Sequence, residues 1–186
     1  MAVGRLVIDG YGQFEPNHFT APRDGRIEAQ CALNATDFTE TNPCENGMVV
    51  VIDKAAKEIK LYASGSVLPL GIVYSTEQLY DERHPGLKNF SSNSMGFLPR
   101  VGYFAMGDTF TVNCLSYDST TWTTLALFKT AMAAYATAPV YAEPHTDGSW
   151  KLSDTEPSTP AYAKVVEVTT MPDGQYALKL QIICAQ

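Results

Sequence analysis

Apolar and polar residues alternate with a period of two along most of this chain, the signature of half-buried strands. The clearest run is Gln175 to Cys184, where Tyr176, Leu178, Leu180, Ile182 and Cys184 face one way. A second alternation, Ile27, Ala29, Cys31 and Leu33, predicts one half-buried strand within the first 45 residues. Met48 to Asp53 is a continuous β-branched run, and Glu58 to Ala63 alternates after a turn at Lys54 to Lys57, so this pair predicts a hairpin. A third strand is expected at Gly71 to Ser75 after a Gly- and Pro-containing spacer. Val101 to Phe104 and Thr109 to Cys114, joined across Gly107 and Asp108, predict another hairpin.

One stretch takes a helical period instead. Between Trp122 and Tyr135, Leu125, Phe128, Met132 and Tyr135 recur at helical spacing, which predicts one short helix. Strands then resume at Pro139 to Glu143, Ser149 to Ser153, Lys164 to Thr169 and Gln175 to Cys184, with turns at His145 to Gly148 and Pro172 to Gly174.

Two stretches share one layout of strand, tight turn, strand, spacer, strand. Met48 to Asp53 matches Ala138 to Glu143, Glu58 to Ala63 matches Ser149 to Asp154, and Leu70 to Ser75 matches Ala163 to Val168. An internal duplication and a β-meander used twice both account for this. The expected fold is mostly β, a small β-barrel or β-sandwich (β-tulip-like) with an extended N-terminal arm, one long loop and one short helix. The arm with its one strand spans residues 1–45, and a single domain spans 46–186. The loop, Thr76 to Leu98, is of a length that is usually functional.

Composition narrows the function. A chain of 186 residues is long enough to bury a core without staples. Its net charge of −7 and pI near 4.9 argue against a nucleic-acid partner, since phosphate binding needs clustered Lys and Arg. No segment approaches a membrane span, and the amino terminus has only Leu6 to Ile8 as an apolar stretch before Asp9, so no membrane partner and a cytoplasmic site of synthesis are expected. Cys31, Cys44, Cys114 and Cys184 form no CxxC pair, and buried free thiols are the expectation, with a Cys31 to Cys44 disulfide as the alternative.

Candidate chemistry is sparse. His18, His84 and His145 have no recognisable partner motif, and no nucleophile elbow, P-loop, HExxH or dinucleotide fingerprint is present. Glu143, His145 and Asp147 alternate as three metal ligands on one strand face would. Pro144 and the Asp147-Gly148 pair instead favour a turn, so no metal, cofactor or catalytic group is assigned. The aromatic content is more suggestive: ten Tyr, eight Phe and two Trp exceed what the aliphatic strand faces need. Such residues are favoured at protein interfaces.

The segments Glu45-Asn46-Gly47-Met48-Val49-Val50-Val51-Ile52-Asp53, Pro69 to Tyr74, Pro99 to Tyr103 and Gly107 to Phe110 give the chain a layout that resembles the head-decoration (capsid cement or auxiliary) proteins of tailed bacteriophages. The resemblance covers most of the chain after residue 45. It implies a structural virion protein, not an enzyme, seated on the outer capsid surface after assembly in the host cytoplasm. It would bridge subunits of the major capsid protein, often as a homo-oligomer such as a trimer. Its contacts would come from Tyr11, Phe14 and Phe19 in the arm and Tyr80, Phe90 and Phe97 in the loop. The rival readings are a tail, baseplate or fibre module that binds a host surface and a β-barrel hydrolase.

Overall fold

A computed structural model describes residues 3–8, 12–39, 41–66, 69–75, 98–159 and 161–185. In chain order the elements are β1 (Val3–Arg5), β2 (Phe14–His18), α1 (Ala21–Asp24), β3 (Ile27–Glu28), β4 (Ala32–Leu33), β5 (Val49–Asp53), β6 (Glu58–Leu61), β7 (Leu70–Val73), β8 (Val101–Tyr103), β9 (Thr109–Val112) and β10 (Leu115–Asp118). They continue with α2 (Leu125–Ala133), β11 (Tyr141–Pro144), β12 (Trp150–Ser153), β13 (Tyr162–Thr170) and β14 (Tyr176–Cys184). The strands form an eight-stranded sheet, β1-β10-β12-β11-β13-β14-β9-β2, and a six-stranded sheet, β3-β8-β7-β5-β6-β4, and neither closes into a barrel. The mostly-β fold with a short apolar-faced helix follows the expectation.

The local reasons are visible in the burial. β5 is a continuous Val-Val-Val-Ile run because its sheet is covered on both sides: Val49 and Val51 join the core shared with the eight-stranded sheet, whereas Val50 and Ile52 pack with Phe38 and Cys44 on the other face. β14 has one wet face, so it alternates. α2 begins where the Thr124 side chain accepts a hydrogen bond from the Leu127 N–H at 3.3 Å, and Phe128 and Met132, four residues apart, turn inward.

Three expectations differ from the structure. The run Ile27 to Leu33 is two short strands on opposite edges of the six-stranded sheet: β3 pairs with β8 and β4 with β6. The alternation in sequence does not survive the crossing: Ile27 packs on the shared core, Ala29 is exposed, and Cys31 and Leu33 join Phe38 and Cys44 in the other core. Likewise Val101 to Cys114 is no hairpin, since β8 pairs with β7 and β3 whereas β9 pairs with β14 and β2. The turn there carries the chain from one sheet to the other, with Gly107 at a φ of 86° that glycine adopts without strain. Finally, the first 45 residues are not a free arm. β1 lies antiparallel to β10, and β2 lies antiparallel to β9, so the segment forms both outer edges of the eight-stranded sheet.

The repeated layout proves far more extensive than the three matched segments. Taking β3 to β8 as one set and β9 to β14 as the other, the strand order is the same in both sheets. The pairing directions agree too, including the one parallel pair in each, β4 with β6 and β10 with β12. Registers agree as well. Ile27 opposite Gly102 corresponds to Phe110 opposite Leu180, and Val50 opposite Gly71 corresponds to Tyr141 opposite Lys164. Ile52 opposite Ile59 corresponds to Glu143 opposite Lys151, and Ala32 beside Glu58 corresponds to Leu115 beside Trp150. Cys31 and Cys114, each one residue before these last strands, occupy equivalent places. The fold is thus two copies of one six-strand unit, with β1 and β2 added to the second. The segment matches hold for Leu70 to Ser75 and slip by one residue in the two earlier strands.

Equivalent faces meet in the shared core: Val49, Val51, Leu70 and Ile72 from the first unit correspond to Val140, Ala142, Ala163 and Val165 from the second. The opposite faces have diverged. In the first unit that face is apolar and sealed by the segment carrying Phe38 and Cys44. In the second it is polar, with ion pairs Lys151 to Glu143 at 3.2 Å and Lys179 to Glu167 at 3.5 Å.

Candidate functional site

Glu143, His145 and Asp147 do not converge. Glu143 is engaged by Lys151 across the hairpin, while the His145 ring meets Asp147 Oδ1 at 2.9 Å. Backbone bonds from His145 N–H to the Ser149 carbonyl and from Gly148 N–H to the His145 carbonyl, both 3.0 Å, make this the tight turn between β11 and β12. Ser149 Oγ also donates to Asp147 Oδ1 and reaches Ser116 Oγ at 2.7 Å. Serine and histidine therefore share one carboxylate oxygen; the serine is not bonded to the ring, and the order needed for a base-activated nucleophile is not formed. Among the described residues no group of three or more His, Cys, Asp and Glu stands ready to hold a metal.

Asp147 has a stability consequence instead. Burial alone would raise its carboxyl, but hydrogen bonds from the Ser149 hydroxyl and N–H and from His145 outweigh it and hold the group below the usual carboxylate range. A carboxyl depressed in the folded state stabilises it fully above its unfolded value, about 3.9, and loses that contribution as pH falls through the folded value. Asp147→Asn is therefore expected to be less stable than the parent at pH 7 and nearly equal to it near pH 2, measured by urea unfolding at both.

All four cysteines are free thiols, with Cys31, Cys44 and Cys114 buried. Burial pushes the Cys44 thiol up strongly and Cys114 to about 12, so both stay protonated and unreactive. Arg5 approaches Cys114 Sγ at 3.7 Å and pairs with Glu45 at 3.2 Å. His18 ends β2 on the exposed surface, and His84 lies outside the described residues.

Of the six expected contact residues, Tyr11, Tyr80, Phe90 and Phe97 lie outside the described residues. Phe14 and Phe19 are core residues of the chain itself, 4% and 5% exposed, with ring centroids 5.4 Å apart and each packed on Tyr74 and Phe110. Exposure, the ground for choosing them, does not hold, because β2 docks on β9 and turns these rings into the shared core.

The exposed apolar surface lies elsewhere. Directly after β1, Leu6 turns inward, and Val7 stands 92% exposed. A cleft of about 370 Å³ opens on one side of this ridge, between Arg5 to Ile8 and the segment Thr41 to Glu45. A smaller cleft separates the ridge from α2 and β14, where Leu125 is 39% exposed and Lys129 lies 5.0 Å over the Tyr176 ring. Leu127 on the same helix and Met106 in the sheet-to-sheet turn add exposed apolar side chains. The sequence held one hint of this, the short apolar run Leu6 to Ile8 between Arg5 and Asp9.

No helix among the described residues is long and apolar enough to cross a membrane. No protein family matches the chain, and neither a curated protein nor a solved structure is similar to it.

Proposed function

We propose that this chain is a structural virion protein that binds the outer surface of a phage capsid and stabilises the shell by bridging subunits of the major capsid protein. The observation that carries the proposal is the ridge at Leu6 to Ile8, where Val7 stands 92% exposed between two clefts while Leu6 turns inward and Ile8 is half-buried, on an acidic, lightly charged protein. Apolar side chains so displayed and rimmed by polar residues are characteristic of protein-binding surfaces. The resemblance to head-decoration proteins supplies the partner. The mechanism is additive: each copy that binds the expanded shell in preference to its precursor shifts the balance toward the expanded state by mass action.

The test is to separate intact particles from soluble protein in the source lysate and count this chain per particle by quantitative mass spectrometry. Copies in the hundreds support decoration. A handful per particle replaces it with a tail, baseplate or fibre module, and absence from particles overturns the virion assignment. Val7→Glu is expected to weaken sedimentation with particles while leaving unfolding free energy within about 0.5 kcal/mol of the parent, because the side chain makes little contact within the fold.

A further inference from the structure

The smaller cleft has an internal chemistry that packing alone does not explain. It encloses about 210 Å³ between the ridge, α2 and the start of β14. Asn113 lines it, is 2% exposed, and has an amide Nδ2 with no hydrogen-bond partner among the described residues, although its Oδ1 accepts from the Gln13 N–H at 2.7 Å. Tyr176 lines the same cleft, and its hydroxyl is likewise buried and without a partner. Burial raises that phenol to about 12, which keeps it a proton donor across the neutral range. Two unmet polar groups beside one cavity are uncommon, since buried donors are nearly always satisfied.

The remaining walls complete the picture. Leu6, Val7, Ile8 and Leu125 give an apolar side, Gln175 adds an amide, and among the described residues Lys129 is the one cation and no carboxylate lines the cleft. Two donors and an ammonium at an apolar pocket match an anion that accepts hydrogen bonds and carries a hydrocarbon body. At about 30 Å³ per water the space holds roughly seven non-hydrogen atoms.

We propose that this cleft binds a carboxylate on a short apolar stem, with Asn113 Nδ2 and the Tyr176 hydroxyl donating to the carboxylate, Lys129 pairing with its charge, and Leu6, Ile8 and Leu125 covering the stem. Both donors are sealed from bulk water, so entry requires a side chain to give way. Lys129 is the one placed to do so: it is exposed on α2 and rests on the Tyr176 ring. Its ammonium leaves the ring face for the carboxylate as the ligand enters. The cleft shares Leu6, Val7 and Ile8 with the ridge.

The experiment is a titration of the isotopically labelled full chain with sodium pentanoate, followed by amide spectra, with pentylamine and sodium chloride as matched probes. Saturable shifts at the Asn113 side-chain amide and at residues 6–8 are expected with pentanoate and not with pentylamine. Tyr176→Phe, which removes one hydroxyl and keeps the ring, is expected to weaken binding by about five- to tenfold. Lys129→Gln is expected to weaken it and to abolish its dependence on ionic strength. Equal shifts from pentylamine, or no saturable shift with pentanoate up to about 50 mM, would overturn the proposal and leave the donors to ordered water.

Discussion

Phe14→Ala is expected to lower the unfolding free energy by about 3–5 kcal/mol, the range for removing a large buried aromatic side chain. The ring is 4% exposed and meets three others, Phe19 at 5.4 Å, Phe110 at 5.5 Å and Tyr74 at 5.9 Å between centroids. Deleting it opens a cavity where β2, β9 and the end of β7 come together, and rigid sheet backbones on either side leave little room for collapse. Phe19→Ala belongs to the same cluster, so the two losses will not add. Urea unfolding of the isolated chain decides the matter. A large loss of stability places the amino-terminal segment in the fold. An unchanged midpoint with weakened particle binding would return Phe14 to the role of an external contact, the role that an extended arm would give it.

The second large effect is expected at Asp108. Its side chain is fully buried and accepts hydrogen bonds from the Thr20 N–H at 3.0 Å, the Thr20 hydroxyl at 2.9 Å and the Ala105 N–H at 2.9 Å. Its own carbonyl accepts from Ile182 N–H at 2.8 Å, and the Ile182 carbonyl accepts from Gly107 N–H at 2.9 Å. One residue thus ties α1, the sheet-to-sheet turn and the end of β14 together. Asp108→Ala leaves two backbone donors and a hydroxyl without their acceptor, at a cost of roughly 1–3 kcal/mol for each donor left unsatisfied. Asp108→Asn keeps one oxygen and should fall between Ala and the parent. Thr20→Val removes only the hydroxyl bond and should cost about 1 kcal/mol. Thermal or urea unfolding that placed Asn below Ala would show that something other than these acceptors holds the turn.

The two-unit construction bears on the functional reading. Equivalent faces of the units are buried against each other, which is the arrangement of a symmetric dimer made within one chain. The outward faces are then the ones able to differ, and they do. Where the first unit has Ile52, Ile59 and Val101 beneath Phe38 and Cys44, the second has the half-buried charged residues Glu143, Lys151 and Lys179. The chain thus presents two unlike outer faces.

Much of the fold was legible in the sequence because the relevant forces are local. The β5–β6 hairpin follows from a β-branched run, a turn and an alternating run. α2 follows from Leu125, Phe128 and Met132 at helical spacing, and β13 and β14 follow from alternation across Pro172 to Gly174. The burial of Cys31 and Cys114 followed from their alternating apolar settings, whereas Cys184 in a like setting is only half-buried and Cys44 is buried although its neighbours in sequence are Asn42, Pro43, Glu45 and Asn46; the turn at His145 to Gly148 followed from its Pro, Asp and Gly. What only the tertiary structure decided was partnership. Alternation records which side of a strand is dry and is silent about the strand beside it. The split of Ile27 to Leu33, the crossing at Gly107 and the strand order common to both units were therefore invisible. The same limit hid the site. Phe14 and Phe19 resemble surface contacts in a segment rich in Pro and Asn until β9 supplies their neighbours, and Val7 is an unremarkable residue until β1 docks on β10 and leaves it facing outward.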